Sequence, residues 1–331
     1  MFPLFAADPS RVDPLLLLLA ALALDACIGD PAAIFRRLPH PVVLLGLLIG
    51  RLEQHLNRQD HSDRDRRLGG IATVFVVVGV AAGAGAVLDA LAARSVWGAV
   101  TETLLVTVLL AQRSLYDHVA AVASALDSEG LAGGRAAIRH IVGRDPASLD
   151  GDGVGRAAIE SLAENFSDGV VAPVFWFLVL GLPGICAYKA VNTLDSMIGH
   201  RSQRYRVFGW AAARLDDLAN LVPARLAGLL IAAAAVVMPH ASGRDALVIM
   251  VRHGHKHRSI NAGWPEGAMA GALDLSLAGP RHYGGELVQD AWIGEGSEEA
   301  GSNEIRRALA LFIVACLIEA ALIGLVALPR G

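Results

Sequence analysis

Residues 68–92 read LGGIATVFVVVGVAAGAGAVLDALA and contain a single charged side chain, Asp89. A helix needs ~20 apolar residues to cross the hydrocarbon core of a bilayer, so this stretch is long enough to span a membrane. Its glycines and alanines allow close packing against neighbouring helices. The stretch therefore predicts a membrane protein built from helices.

The overall composition agrees with this prediction. The 331 residues are 54% hydrophobic and only 18% charged, whereas an average soluble domain is ~25% charged. The mean hydropathy is +0.49. A net charge of −4 argues against nucleic acid as a partner. The three cysteines lie far apart in apolar surroundings, so neither a disulfide framework nor a zinc ribbon is indicated.

Five more apolar segments recur along the chain, at about 14–28, 96–111, 170–188, 226–238 and 308–328. Together with 68–92 they predict an all-α, polytopic integral membrane protein, a single domain over 1–331 with about 4–6 membrane helices. The seven arginines of residues 29–67 predict a cytoplasmic position for that polar stretch.

Pro183 and Gly184 interrupt the segment 170–188 near its middle. Such a pair favours a hairpin of two half-helices over one full span. Further along the chain, residues 279–302 are rich in glycine and acidic residues and predict an irregular loop.

Three carboxylates follow one another at a spacing of four residues, which places them on one face of a helix. They are Glu160, Glu164 and Asp168. Like charges at this spacing repel, so arginines, solvent or a divalent cation should compensate for them, and oxygen ligands of this kind suit Mg²⁺. The plainer interpretation is a solvated helix face.

The motif YKAVNTLDSMIG occupies residues 188–199 and places Lys189, Asn192 and Asp195 along one helical stripe. Such polar groups are costly in a marginally apolar segment unless they are paired. They therefore indicate either a satisfied structural network or a group that binds phosphate and orients an amine. The motif WAAARLDDLAN, residues 210–220, aligns Arg214 with Asp217 in the same way. Arg214 can pair with Asp217, or clamp a phosphate or carboxylate with two hydrogen bonds.

Histidines 253, 255 and 257 alternate with basic residues, Lys256 and Arg258 among them. The basic neighbours would repel a metal cation, so an anion-binding or solvated loop is the better interpretation. Near the N-terminus, His40 lies between two prolines, which restrict its backbone. No P-loop, GxSxG or HExxH pattern is present, so the corresponding kinase, hydrolase and protease classes lack support.

The ordered set of motifs resembles adenosylcobinamide-phosphate synthase, the CobD/CbiB membrane family of cobalamin biosynthesis. The resemblance covers roughly residues 25–294. It rests on GDP at 29–31 with LPHP at 38–41, AIESLAEN at 158–165 with DGVVAP at 168–173, the two motifs at 188–199 and 210–220, and SINAGWPEGAMAGAL at 259–273 with GP at 279–280. Ile260 and the extra histidines at 200 and 253–255 depart from the family's pattern.

This resemblance implies an enzyme of the cell inner membrane that forms an amide bond. The implied substrates are adenosylcobyric acid and aminopropanol phosphate or aminopropanol, with ATP and Mg²⁺, and membrane lipid and other cobalamin-biosynthesis proteins as partners. Under this hypothesis Glu160, Glu164 and Asp168 bind Mg²⁺. The catalytic residues are Lys189, Asn192, Asp195, Arg214 and Asp217. Contacts to a phosphate or the corrin rim come from Lys256, Arg258, Asn261, Trp264 and His40.

Two other classes remain open on the sequence alone. Broken helices with polar residues at membrane depth are typical of transporters, and Pro183-Gly184 fits that description. A non-catalytic membrane component on the same fold is the other alternative. It would not need Lys189, Asn192 and Asp195 together in an apolar context.

Overall fold

The computed structural model describes residues 12–29, 35, 39–95, 97–139, 141, 146–200, 202–283 and 286–328. The chain groups into two compact units. Unit 1 comprises Met1–Ala111, Ala172–Asn220 and Gly324–Gly331, and unit 2 comprises Gln112–Val171 and Leu221–Ile323. The prediction of a single enzyme domain concerns the whole molecule and stays a prediction.

Helices dominate the described chain, as predicted. In order they are α1 (Pro14–Ile28), α2 (Pro41–Leu56), α3 (Asp63–Ala92), α4 (Gly98–Leu109), α5 (Gln112–Ile138), α6 (Gly151–Phe166), α7 (Ala172–Ile198), α8 (Trp210–Ala219), α9 (Leu221–Val237), α10 (Gly243–His253), α11 (Gly263–Leu273) and α12 (Ser302–Ala327). Short helical turns lie at Pro146–Ser148, Ser167–Val171 and Gly254–Lys256. The strands are β1 (Leu277–Ala278), β2 (Arg281–Tyr283), β3 (Glu286–Val288) and β4 (Trp292–Ile293).

Local capping chemistry explains where several helices begin. Asp13 Oδ1 accepts the backbone N–H of Leu15 at 2.8 Å at the start of α1. Asp150 Oδ1 accepts the N–H of Gly153 at 2.7 Å at the start of α6. These caps satisfy N–H groups that the first turn of a helix leaves without a partner.

α3 is the central helix of unit 1, and α2, α7 and α8 pack against it. Its inward residues Val74 and Val77 share a core with Ile49, Leu194 and Phe208. Its other side exposes large apolar side chains, with Phe75 80% and Val87 59% accessible. The buried face of such a helix packs against protein, and its exposed apolar face is suited to contact with lipid.

α7 folds back on itself near its first third. Gly181 has a φ of 67° and a ψ of −153°, and Pro183 follows it inside the helix. A Cβ on Gly184 would lie 2.3 Å from the carbonyl oxygen of Trp176. Eight residues of continuous helix would separate these positions by ~12 Å, so the backbone reverses direction between them. The predicted pair of half-helices is present, with its break beginning two residues before Pro183.

By length and composition alone, three helical stretches among the described residues could cross a membrane: Asp63–Ala92, Gly151–Ile198 and Ser302–Ala327. The second of them contains the reversal at Gly181 and is not one straight helix. α8 and α9 together meet the same criterion as a pair bent by 46°, which raises the number to four. α4 corresponds to the predicted segment 96–111 but has only 12 residues, too few to span a bilayer alone. The protein is an all-α, polytopic membrane protein.

Unit 2 is organised around α11, in which every residue except the half-buried Trp264 is buried. Small residues make this close packing feasible. A Cβ on Gly271 would lie 2.3 Å from the Asp245 carbonyl oxygen of α10, and one on Gly267 would lie 3.1 Å from Met250 Cα. α9 and α6 also contact α11, so the glycine- and alanine-rich sequence of α11 reflects its central place in this unit.

Two small antiparallel strand pairs occupy part of the predicted irregular loop at 279–302. β1 pairs with β4 through Leu277 opposite Ile293 and Ala278 opposite Trp292. β2 pairs with β3. The loop prediction was wrong here because strands of two or three residues are too short to produce an alternating pattern in sequence.

A network of charged and amide groups holds the segment before α8 against α2. Arg204 bonds Glu53 through Nε at 2.8 Å and Nη2 at 2.9 Å. Asn57 donates to Glu53 Oε1 at 2.9 Å and to the Arg204 carbonyl oxygen at 3.2 Å. Arg66 Nη2 donates to the same carbonyl oxygen at 2.6 Å. Glu53 is buried, so these bonds compensate for its loss of hydration.

We expect Glu53→Gln to lower the free energy of unfolding of unit 1 by about 1–2 kcal/mol, because it removes the charge from a buried carboxylate that Arg204 bonds in a bidentate manner. Thermal unfolding in detergent, followed by circular dichroism, measures the effect. Asp60→Asn is the matched control, since the Asp60–Arg58 ion pair has both side chains at least 60% exposed and should contribute little. Equal shifts in the two variants would contradict the prediction.

We expect Gly181→Ala to destabilise the fold by about 1–3 kcal/mol, because its φ and ψ lie in a region that is essentially restricted to glycine. Gly83→Ala serves as the control: it lies within α3, and a Cβ there would meet nothing within 4 Å. The control should be neutral or stabilising by up to ~1 kcal/mol. The midpoint of thermal unfolding distinguishes the two, and an unchanged midpoint in Gly181→Ala would show that the turn is not strained.

Candidate functional site

In unit 1 the two predicted motifs at 188–199 and 210–220 come together, since the second half of α7 packs against α8. The Tyr188 hydroxyl donates to Asn220 Oδ1 at 2.9 Å. Asn220 Nδ2 then donates to Asp216 Oδ2 at 3.1 Å. Tyr188 and Asn220 are almost completely buried, so this chain of bonds forms a polar connection inside an otherwise apolar packing.

Asp216 is the centre of this group, although the sequence analysis did not select it. It lies close enough to Asp195 and Asp217 for the carboxylates to repel one another, and Asn192 is within hydrogen-bonding reach. The signal that could have identified Asp216 is its spacing of four residues from Asn220, which places both on one side of α8. Asn192, Asp195 and Asp217 therefore belong to one cluster, which we call the Asp216 cluster.

Arg214 lies at the border of the Asp216 cluster, and Lys189 precedes it on α7. Arg214 Nη1 lies 3.1 Å from Asp217 Oδ2, and its side chain is 58% exposed. This is the i,i+3 pair that the sequence allowed, worth about 0.2–0.5 kcal/mol at an exposed site. Lys189 is half-buried and lies one helical turn before Asn192, so the predicted polar stripe on α7 is retained.

His40 has a structural role at the start of α2. Its Nδ1 accepts the backbone N–H of Val42 at 3.2 Å, and its ring packs against Phe35 with centroids 4.7 Å apart. The bond caps the helix in the manner of an aspartate or asparagine. A contact between His40 and a substrate stays a prediction.

In unit 2 the three predicted metal ligands have different surroundings. Glu160 is buried, and its Oε1 accepts the backbone N–H of Ala278 at 2.8 Å. Ala278 has a φ of 62° and Gly279 a φ of 76°, so the carboxylate supports a left-handed turn at β1. Glu164 is exposed and Asp168 is half-buried.

The predicted regular spacing of these carboxylates is interrupted. α6 ends at Phe166, and Asp168 lies in a π-helical turn, Ser167–Val171. Single π turns widen a helix by one residue and are frequent at functional sites. Among the described residues, no group of three or more His, Cys, Asp or Glu side chains is placed to hold one metal ion.

The histidines after α10 contact different partners instead of sharing one. His253 Nδ1 accepts the Gly294 N–H at 3.0 Å, and its Nε2 lies 3.4 Å from Glu295. His257 Nδ1 accepts the Ser259 N–H at 3.0 Å. The anion-binding and solvated-loop interpretations of this segment stay predictions.

The remaining predicted binding residues lie in and after the same segment. Arg258 Nε is 2.6 Å from Asp290 Oδ1, and Lys256 is exposed. Asn261 and Trp264 both contact Arg225 of α9. Asp290 and Arg225 were missed by the sequence analysis because their partners lie more than thirty residues away.

Unit 2 also contains an open, mostly polar cavity of about 430 Å³, and none of the predicted site residues lines it. It is lined by His240, Leu273, Asp274, Leu275, Ser297, Glu299, Glu304 and Arg307. Arg307 Nη2 donates to the His240 carbonyl oxygen at 2.9 Å, so part of its lining is tied to the turn between α9 and α10.

His253 makes the region around β4 sensitive to pH. Burial, with Lys256, Arg252 and His255 nearby, lowers the pKa of His253 below its ordinary value, although Glu295 opposes the shift. A neutral ring can accept the Gly294 N–H, and a protonated ring cannot. Because the folded protein binds this proton less readily than the unfolded chain, stability is full above pH ~6.5 and falls as the pH drops below it.

We therefore expect wild-type stability to decrease between pH 7.5 and 5 by up to ~1.4 kcal/mol per pH unit more than that of His253→Gln. Thermal unfolding in detergent across this pH range measures the difference. His255→Gln, which changes an exposed histidine two residues away, should follow the wild type. Parallel curves for wild type and His253→Gln would refute the assignment.

Comparison with known proteins identifies the family of the chain. The family profile described as CobD/Cbib protein matches residues 18–312. A "Cobalamin biosynthesis protein CobD" of Sinorhizobium sp is 52% identical over 317 residues, covering 95% of this chain and 98% of the relative. Proteins of the same name from Brucella anthropi and Rhodobacter capsulatus are 51% and 46% identical, each covering 94% of this chain and 98% and 96% of their own lengths. No solved structure matches the chain. The protein belongs to the CobD/CbiB family.

Proposed function

We propose that this protein is an adenosylcobinamide-phosphate synthase of the cell inner membrane. It would join a side-chain carboxylate of adenosylcobyric acid to the amine of aminopropanol phosphate, or of aminopropanol. ATP would be converted to ADP and phosphate in the reaction. The observation that carries the proposal is the Asp216 cluster, in which two separate family motifs bring an amide and three carboxylates together. A half-buried lysine, Lys189, lies one helical turn before the amide on α7. The names of the near full-length relatives support a role in cobalamin biosynthesis.

The proposed reaction has two steps. A carboxylate oxygen of the corrinoid attacks the γ-phosphorus of ATP, which forms an acyl phosphate and releases ADP. The amine nitrogen then attacks the acyl carbon, a C–N bond forms, and the C–O bond to phosphate breaks as phosphate leaves with the electron pair. The amine loses a proton in this step, and holding it near attack distance accounts for much of the rate enhancement.

The residues of the Asp216 cluster suit these requirements. Lys189 and Arg214 are cations that would contact phosphoryl oxygens, where negative charge develops. Asn192 and Asp195 would orient the two substrates. Asp217 would accept a hydrogen bond from the amine and receive its proton.

Residues at and before the π turn are the candidates for binding Mg²⁺. Mg²⁺ that accompanies ATP is usually held by one or two protein carboxylates together with the phosphates, so a complete protein cage is not required. We propose Glu164 and Asp168 for this role, because one oxygen of Glu160 already accepts the Ala278 N–H. When bound, the ion would neutralise charge on the transferring phosphoryl group.

Direct assay of ligation tests the proposal. The full chain, purified in detergent, is incubated with adenosylcobyric acid, ATP, Mg²⁺ and either aminopropanol phosphate or aminopropanol. Mass spectrometry should show a corrinoid heavier by the amine minus one water, and ADP and phosphate in equal amounts. Absence of this product with both amines, in protein that is folded by circular dichroism, would overturn the proposal.

We expect Lys189→Ala and Glu164→Gln each to reduce ligation by at least about 100-fold, since each removes a group that stabilises phosphoryl charge. Exposed residues outside the proposed site provide matched controls: Arg94→Ala for the lost cation and Glu129→Gln for the lost carboxylate. Wild-type turnover by a variant would remove that residue from the mechanism. Expression and melting temperature report whether each variant still folds.

A transporter is the second candidate, favoured by the reversal of α7 at Gly181. Broken helices with polar groups beside the break are typical of transporters. Uptake of a corrinoid into sealed vesicles, without ligation in detergent, would support that class. Ligation by the detergent-purified chain requires no sealed compartment and would support the enzyme.

A further inference from the structure

Two arginines near the start of α3 have no carboxylate partner within the described part of the chain. Arg64 and Arg67 are exposed, and the ion pairs of the neighbouring residues, such as that of Arg66, do not include them. Their spacing of three residues makes them neighbours on the helix surface, where like charges repel. An anion bound beside both side chains would remove that repulsion.

The acidic residues of the same turn are engaged with other groups. Asp63 Oδ1 lies 3.9 Å from Arg66 Nη1. Asp65 Oδ2 accepts the Ser62 hydroxyl at 2.6 Å, and Ser62 Oγ accepts the Asp65 backbone N–H at 3.2 Å, which caps the helix. The carboxylates of this turn therefore form no ion pair with the two unpaired arginines.

Trp210, the first residue of α8, lies against Arg67. The guanidinium carbon is 4.0 Å from the centre of the indole ring, within the range of a cation–π interaction. Backbone packing brings the two together: a Cβ on Gly70 would lie 1.8 Å from the Phe208 carbonyl oxygen, so the chain before α8 runs directly over α3. The ring orients the arginine without supplying an oxygen acceptor for its N–H donors.

An exposed apolar stripe of α3 begins beside these arginines. Leu68, Ile71 and Phe75 occupy positions i+4, i+7 and i+11 from Arg64, a spacing that places all four on one face of the helix. The three apolar side chains are all exposed. The arginines therefore lie at one end of the surface of α3 that is suited to contact with lipid.

The length of α3 determines the depth of the arginines in a bilayer. Its 30 residues extend ~45 Å, which matches a bilayer together with its headgroup regions. Arg64 and Arg67 belong to its first five residues, so they lie at the level of the headgroups when the apolar part of α3 crosses the hydrocarbon core. Exposed tryptophan is typical of this level, and Trp210 is exposed.

We propose that Arg64 and Arg67, with Trp210, form a binding site for the headgroup of an anionic phospholipid. The two guanidinium groups donate hydrogen bonds to the phosphodiester oxygens, and an acyl chain covers the stripe from Leu68 to Phe75. A soluble phosphate compound has the same charge but no apolar part to cover that stripe, so a lipid is the ligand that fits both. Arginines that adjoin a membrane helix on its cytoplasmic side attract anionic lipids in this way.

Native mass spectrometry of the full chain in detergent tests this site, with phosphatidylglycerol and phosphatidylcholine of identical acyl chains as probes. The wild type should bind phosphatidylglycerol more tightly. Each arginine at an anionic membrane surface contributes a factor of about five. The double variant Arg64→Gln/Arg67→Gln should therefore weaken binding of the first phosphatidylglycerol by roughly 30-fold and leave phosphatidylcholine binding unchanged.

Arg58→Gln/Arg94→Gln is the matched control, because it removes the same amount of charge elsewhere in unit 1. Arg58 is already paired with Asp60 at 3.1 Å, and Arg94 is exposed beyond the other end of α3. This variant should bind phosphatidylglycerol as the wild type does. Equal losses in the two double variants would show an effect of net charge alone and would overturn the inference.

Single substitutions keep the test decisive if the double variant does not accumulate in membranes. Arg67→Gln should weaken phosphatidylglycerol binding about fivefold. Trp210→Ala should weaken it about two- to fivefold, since it removes the ring that orients Arg67. Wild-type preference for phosphatidylglycerol in folded Arg67→Gln would refute the site.

Competition distinguishes a lipid from a soluble phosphate as the ligand. Inorganic phosphate and ATP carry the charge without acyl chains, so neither should displace phosphatidylglycerol from the wild type at concentrations that saturate the lipid site. Displacement by either compound would show that the arginines bind a soluble phosphate and would overturn the lipid assignment. None of these measurements requires ligation, so the inference stands or falls independently of the proposed function.

Discussion

The hydrogen bonds between α7 and the end of α8 are the interactions on which the arrangement of unit 1 depends. The Trp176 indole N–H donates to the Ala219 carbonyl oxygen at 3.1 Å, and the Tyr188 hydroxyl donates to Asn220 at 2.9 Å. Trp176 precedes the reversal at Gly181 and Tyr188 follows it, so both halves of the folded-back helix are tied to α8. Because a buried polar group without a partner is costly, these bonds restrict the two helices to one register. The Asp216 cluster results from that register.

Unit 2 uses the same principle to shape segments without regular structure. Glu160 supports the left-handed turn at Ala278, His253 supports the turn at Gly294, and Arg225 supports the segment before α11. In each case a side chain from a helix satisfies a polar group of a distant loop. Side chains of helices therefore hold these loops in place, and a well-positioned backbone is what a binding site requires.

Much of the fold could be read from local sequence. The apolar length of 68–92 predicted a membrane helix, and the Pro183-Gly184 pair predicted the break in α7. The spacing of Arg214 and Asp217 allowed the ion pair that the structure shows. These features depend on residues within one or two turns of each other. The helical spacing of Glu160, Glu164 and Asp168 also looked local, but the π turn at Ser167–Val171 alters it through packing of unit 2, which periodicity does not reveal.

The sequence by itself determined that the chain is helical, lies in a membrane and carries the motifs of the CobD/CbiB family, because hydropathy and short-range spacing are encoded residue by residue. Only the tertiary structure decided that Asp216 lies at the centre of the polar cluster, that Glu160 bonds Ala278, and that Arg225 bonds Asn261. The last two contacts join residues 118 and 36 positions apart. Their partners are selected by helix packing and by the need to satisfy buried polar groups, and neither constraint leaves a periodic mark on the sequence.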